Sequence, residues 1–189
     1  MSRVEPVVFS PQRLLALARV AARRHLGDRQ CRLPERWPEA PFPCGGLFVT
    51  YWSRDVLRGC IGTFGTTPNL WELVPEVAAA ALVDPRFADR PVTATELPSL
   101  RIEISVLSDL ARTGDPLAAL VPGTHGVMIR RDDRSGCFLP KVAEQRGWTA
   151  EDLLRNCCTM KAGLPPDAWR DASTEVYLFT AESVAEGES

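Results

Sequence analysis

Cys60 stands between two glycines in the run Leu57-Arg58-Gly59-Cys60-Ile61-Gly62, with Arg58 two residues before it. Side chains alternate along an extended strand, so Arg58, Cys60 and Gly62 share one face and Leu57, Gly59 and Ile61 the other. An arginine beside a thiol stabilises the thiolate, the form that acts as a nucleophile or metal ligand. The same guanidinium would equally clamp a carboxylate or phosphate. Glycines weaken a strand, and two of them around a cysteine imply that a ligand, or another piece of the chain, approaches the backbone at Gly59 and Gly62. The plainer reading makes Cys60 a small buried hydrophobe and Arg58 a surface charge.

Three other residues could join this chemistry. His125, in Gly123-Thr124-His125-Gly126, is either a base for Cys60 or a turn residue bonded to backbone. Glu103 faces away from Ile102 and Ile104 and would orient the site by pairing with Arg58 if their strands are neighbours; otherwise it is solvated. Lys161 ends a helix, where a cation suits the helix dipole, or reaches into a cleft to bind. The candidate catalytic set is therefore Cys60, His125, Arg58 and Glu103, and the candidate binding set Arg58, Gly59, Gly62 and Lys161. Cys60 and His125 alone do not complete a metal coordination shell, so no metal site is expected. His25, near the end of the first helix, is given no role, and of the adjacent Cys157 and Cys158 one is read as core.

The elements that must position these residues are legible in outline. Ser10-Pro11 opens an amphipathic helix on Leu14, Leu15, Leu17, Ala18, Ala21, Ala22 and Leu26, which ends before Gly27. A proline-rich surface connection runs from Gly27 to Gly46. Residues 46–52 and 56–64 form a β-hairpin about Ser53-Arg54-Asp55. Asn69 with Glu72 caps a second helix that stops at Asp84-Pro85; Pro75 is tolerated there only if the helix starts later. Strands follow at 101–107, 127–131 and 136–139, the last two joined by a turn at 132–135. Thr149 with Asp152 starts a helix running to about Ala162, capped by Gly163. A final strand covers 175–180, and the acidic tail after Ala181 is expected to fray. Strands joined by hairpins, without βαβ alternation, point to an α+β fold with a mainly antiparallel sheet and packed helices.

Composition narrows the function classes. The 189 residues are 45% apolar and 24% charged, enough for a core of ordinary size, and the net charge is only −2. No basic run exceeds the pairs Arg23-Arg24 and Arg130-Arg131, which argues against broad capture of nucleic acid. Lysine occurs only at 141 and 161 among many arginines, a bias associated with GC-rich bacterial genomes. The opening residues carry no apolar stretch of signal-peptide length, and nothing later approaches the ~20 apolar residues of a membrane span. The expectation is a cytoplasmic protein without a membrane partner, its six cysteines reduced.

Taken in order, GGLFVTYWSRDVLRGCIGTF, AAAALVDPRF, TELPSLRIEISVLSDL, GTHGVMIRR, FLPKVAEQRGW and KAGLPPDAW resemble the AMMECR domain family. The similarity covers about residues 10–181, so residues 1–189 are read as a single AMMECR-type domain with an acidic tail at 182–189. One departure is Lys141, where the family pattern has glutamine after Leu-Pro. The resemblance implies a larger and a smaller lobe forming a cleft, with the LRGCIG segment near it. It also implies kinship with protein A of the AmmeMemoRadiSam system, and so partnership with Memo-like and radical SAM proteins in radical or redox-linked modification. It names no cofactor and no reaction. Two functions follow as expectations: a cysteine-dependent enzyme acting through Cys60, or a binding or scaffold protein that takes a partner protein or a small ligand through the same site.

Overall fold

A computed structural model describes residues 11–35, 44–67 and 69–187. The chain forms two compact units, Met1–Val106 with Ser183–Ser189, and the smaller Leu107–Glu182. The fold is α+β with largely antiparallel sheets, as the sequence pattern predicts.

In the larger unit α1 (Pro11–His25) buries Leu14, Leu15, Leu17, Ala18, Ala21 and Ala22. It ends where the sequence places its end. Gly27 takes a left-handed φ of 99°, its N–H donates to Arg24 O, and the Asp28 N–H reaches back to Arg23 O, the paired bonds of a Schellman cap. Strands β1 (Cys44–Ser53) and β2 (Val56–Thr67) pair antiparallel through a two-residue turn, Arg54-Asp55, in which Arg54 adopts φ 54°. Residues 36–43 of the predicted connection lie outside the described residues, as does Ser10.

Helix α2 (Leu70–Leu82) opens on Asn69, whose side chain accepts the Trp71 N–H at 3.1 Å and donates to Glu72 at 3.1 Å. The helix does not start later to accommodate Pro75, contrary to expectation. Pro75 sits buried inside it, which leaves Trp71 O without its intrahelical donor. β3 (Arg101–Leu107) follows a single 3-10 turn at Leu97–Ser99. One face of the hairpin packs under the helices: Leu47, Val49 and Tyr51 are fully buried, and the Tyr51 hydroxyl donates to Ala78 O at 2.9 Å. Each such apolar side chain contributes roughly 1.5–3 kcal/mol by leaving water.

The smaller unit contains β4 (Ala111–Thr113), α3 (Pro116–Ala119), β5 (Gly126–Arg131), β6 (Arg134–Phe138), α4 (Pro140–Arg146), α5 (Ala150–Asn156) and β7 (Glu175–Phe179). Its sheet order is β4-β7-β5-β6. The turn between β5 and β6 is shorter than predicted, only Asp132-Asp133, because Asp132 takes the left-handed φ of 53° that a two-residue hairpin turn needs. Thr149 and Asp152 form a reciprocal capping box on α5. The expected uninterrupted helix to Ala162 instead changes at Cys157 into a π-helical turn, with the Ala162 N–H donating to Cys157 O at 3.0 Å. Gly163 then leaves at φ 64°.

The described part of the acidic tail does not fray. Residues Ala181–Ala185 form β8, which closes the first sheet in the order β2-β1-β3-β8. Ala185 is buried, and the Glu186 carboxylate accepts from Arg19 and from the Ile102 N–H. Glu186, in the tail expected to fray, is thus a tertiary partner of α1 and β3.

Candidate functional site

β2 is an edge strand, and both backbone groups of Cys60 point away from β1. An open edge invites pairing with another chain. Here two side chains of the Asp84-Pro85-Arg86 turn close it. Asp84 Oδ2 accepts the Cys60 N–H at 2.9 Å, and an Arg86 guanidinium N–H donates to Cys60 O at 2.8 Å. Arg86 also forks onto Asp84, with contacts of 3.0 and 2.6 Å. Asp84 further caps its own 3-10 turn through the Arg86 N–H at 3.0 Å. Its side chain is only 1% exposed. Burial is the largest single influence and pushes its carboxyl up, but the Arg86 guanidinium and the N–H groups of Cys60 and Arg86 together hold it below the ordinary carboxylate range.

The two glycines have equally local causes. Gly59 faces α2, and a Cβ there would lie 2.1 Å from Ala81 O. Gly62 is opposite Phe48 across the hairpin, and a Cβ there would lie 2.2 Å from its ring. The close approach inferred from sequence is therefore made by other pieces of this chain.

Arg58 is held by Glu96. Its guanidinium donates to both carboxylate oxygens, at 2.6 and 2.9 Å, and to Arg90 O at 3.1 Å. The hydrogen bonds from Arg58 are the main reason the Glu96 carboxyl lies below its ordinary range. Cys60 has one side-chain partner on its own face, the Thr50 hydroxyl, which donates to Sγ at 3.2 Å. Cys60 is half-buried, as are Phe48, Trp52 and Phe64 on the same hairpin. Phe48 and Phe64 meet edge to face at 5.5 Å.

A family model described as AMMECR1 matches residues 15–184. The chain belongs to the AMMECR1 family. A protein of Methanothermobacter thermautotrophicus is 38% identical over 176 residues, 89% of this chain and 90% of that one. A protein of Thermococcus kodakarensis is 36% identical over 89% of this chain and 86% of its own length. The crystal structure of an uncharacterised protein from Pyrococcus horikoshii is similar at TM-score 0.83 and 36% identity, covering 94% of this chain and 91% of that one.

In this AMMECR1 family member each remaining candidate has local partners of its own. Glu103 does not hold Arg58: β1 lies between β2 and β3, and Glu103 accepts the Trp52 indole N–H at 3.1 Å. His125 lies in the smaller unit, where it closes a turn: its backbone N–H donates to Val121 O at 2.9 Å and its ring Nδ1 accepts the Val121 N–H at 3.1 Å. Lys161, also in the smaller unit, places Nζ 5.0 Å from the Phe138 ring centre at the end of the π-helical turn. Cys157 and Cys158 do not divide into core and surface, because the wider π turn brings both inside; each is fully buried. Burial pushes the Cys157 thiol above its ordinary range. Among the described residues no three His, Cys, Asp or Glu side chains converge as a metal site would require, and no helix is long and apolar enough to cross a membrane.

Sequence reasoning did not single out Thr50, Asp84, Arg86 and Glu96. All four stand inside the strings GGLFVTYWSRDVLRGCIGTF, AAAALVDPRF and TELPSLRIEISVLSDL. Asp84, expected to stop α2, does so and also accepts the Cys60 N–H, a contact that no local pattern announces.

Proposed function

We propose that this AMMECR1 family member is a binding module whose contact face is the outward side of the β1–β2 hairpin, carrying Phe48, Trp52, Cys60 and Phe64. One observation carries this reading: the charged groups around Cys60 are committed to internal pairs, Arg58 to Glu96 and Arg86 to Asp84. Those pairs hold the strand rather than a substrate. What is left partly accessible is a set of half-buried aromatic side chains around a half-buried thiol, the composition of a protein contact patch. The resemblance described above makes Memo-like and radical SAM proteins the first partners to test.

The test is calorimetric titration of the purified chain with each of those proteins. Trp52→Ala and Phe48→Ala are expected to weaken binding about tenfold or more, as central aromatic contacts do, whereas Cys60→Ala leaves it nearly unchanged. Melting curves of each variant separate lost contact from lost fold. Binding that disappears only in Cys60→Ala contradicts this reading.

A second reading rests on the Thr50 hydroxyl donating to Cys60 Sγ, a contact that favours a thiolate and hence a cysteine-dependent reaction. Under it, Thr50→Val slows alkylation of Cys60 at neutral pH more than at alkaline pH. An equal effect at all pH values removes its support.

A further inference from the structure

Where α1 ends, the chain gathers arginines. Gly27, at its left-handed φ of 99°, turns the chain, and a cavity of about 410 Å³ at the turn has Arg24, Arg29 and Arg32 in its wall together with Asp28 and Cys31. All of them lie in the larger unit. The one acid in this wall is already engaged. Asp28 Oδ2 accepts from Arg23 Nε at 3.1 Å, from Arg23 Nη2 at 2.7 Å and from the Cys31 thiol at 3.5 Å, while Oδ1 accepts the Gln30 N–H at 3.0 Å. Arg23 thus balances the Asp28 charge, and these bonds fix the loop that carries Arg29 and Arg32. Among the described residues the guanidiniums of Arg24, Arg29 and Arg32 have no ion-pair or hydrogen-bond partner. A cation near a helix C-terminus suits the helix dipole, which accounts for Arg24. It does not account for Arg29 and Arg32, which follow the cap.

Like charges around one concavity repel, and an anion between them removes that repulsion. The whole chain is net −2, so this patch is a local inversion of sign, too short to track a nucleic-acid strand. Guanidinium forks match phosphate oxygens bidentately. A single phosphate would engage only part of the set, whereas a diphosphate group offers oxygens and charge to all three arginines. The volume lies in the small-molecule range. We propose that this cavity binds a small diphosphate-bearing anion on Arg24, Arg29 and Arg32, with the Arg23–Asp28 pair bracing the loop. This site stands independently of the hairpin face.

The experiment titrates the full chain with sodium pyrophosphate, ADP, inorganic phosphate and citrate by calorimetry at low salt, and repeats the pyrophosphate titration as sodium chloride is raised. Saturable pyrophosphate binding is expected, weakening with salt, with phosphate and citrate markedly weaker. ADP that binds more tightly than pyrophosphate assigns the diphosphate to a nucleotide; ADP that binds equally or more weakly assigns it to the free anion. Arg29→Gln and Arg32→Gln are each expected to weaken pyrophosphate about tenfold, as loss of a hydrogen bond to a charged group does. Arg13→Gln, at an exposed arginine elsewhere on α1, leaves binding unchanged and controls for bulk charge. Without ligand, Arg29→Gln and Arg32→Gln should melt no lower than the parent, because each removes a like charge from the cluster. Absence of saturable pyrophosphate binding, equal binding of citrate or phosphate, a loss in Arg13→Gln as large as in Arg29→Gln, or ligand-free variants that melt well below the parent overturns the proposal.

Discussion

Cys60 in the larger unit and Cys157 in the smaller one both sit where a glycine lets two backbones come close, and the consequences are opposite. Near Cys157 the glycine is Gly136, where a Cβ would lie 2.4 Å from that of Lys161. The π-helical turn presses onto β6 there, and the sulfur is shut inside, its thiol donating to Gly136 O at 3.3 Å. Near Cys60 the glycine is Gly59, and what presses in is Ala81 O on the opposite face of the strand. That contact seats the strand and leaves the sulfur on the outer face. A glycine-flanked cysteine therefore reports close packing first. Whether it also reports a site depends on which face the packing takes.

The comparison can be broken at several points, the first with the largest effect. Gly59→Ala drives a methyl into a backbone carbonyl that cannot turn aside, and is expected to cost about 3 kcal/mol, the upper end for overpacking; a melting temperature within a degree or two of the parent would show that the strand is not seated in this way. Asp84→Asn removes the buried charge that clamps Cys60, and is expected to cost about 2 kcal/mol near neutral pH. The pH dependence has a definite sign. The folded Asp84 carboxyl lies below its ordinary value of about 3.9, so its contribution is full above that value and fades as pH falls through the lower folded value. The gap between parent and Asp84→Asn should close in acid, which urea unfolding across pH would reveal.

The two cysteines themselves give smaller, diverging effects. Cys157→Ser puts a hydroxyl into an apolar interior and is expected to cost about 1–2 kcal/mol. Cys60→Ser, at a half-buried position, should stay within about 0.5 kcal/mol. Equal costs in denaturant melts would erase the distinction between an interior and a presented thiol.

Much of this arrangement was legible because local chemistry fixes it. Gly27 and Gly163 end their helices at left-handed φ, Thr149 and Asp152 cap α5, and the alternation in β3 buries Ile102 and Ile104 as read. The alternation in β2 holds from Gly59 to Thr63, with Cys60 opposite Thr50 and Gly62 opposite Phe48, but a register shift at Tyr51–Trp52 leaves Arg58 without an opposite residue, and the face it was read to share with Cys60 is not set by the ladder. What was not legible depends on segments far apart in sequence. Glu96 reaches Arg58 across 38 residues and Asp84 reaches Cys60 across 24. Glu186 finds Arg19 only once β8 has joined the sheet beside β3. Neither alternative for Glu103 holds: its pairing with Arg58 depended on a strand order that the whole sheet sets, and its side chain is buried and not solvated. Pro75 was misjudged because tertiary burial of α2 outweighs the loss of one helical hydrogen bond.

The central claim is that Cys60 is presented on an internally clamped strand as part of a contact face. Timed alkylation of the native chain, read residue by residue by mass spectrometry with and without a bound partner protein, tests it most directly. Cys60 should label in the free chain while Cys157 and Cys158 label only after unfolding, and the partner should slow Cys60 alone. A Cys60 that stays unlabelled in the native free chain, or labels equally fast in the complex, contradicts the account.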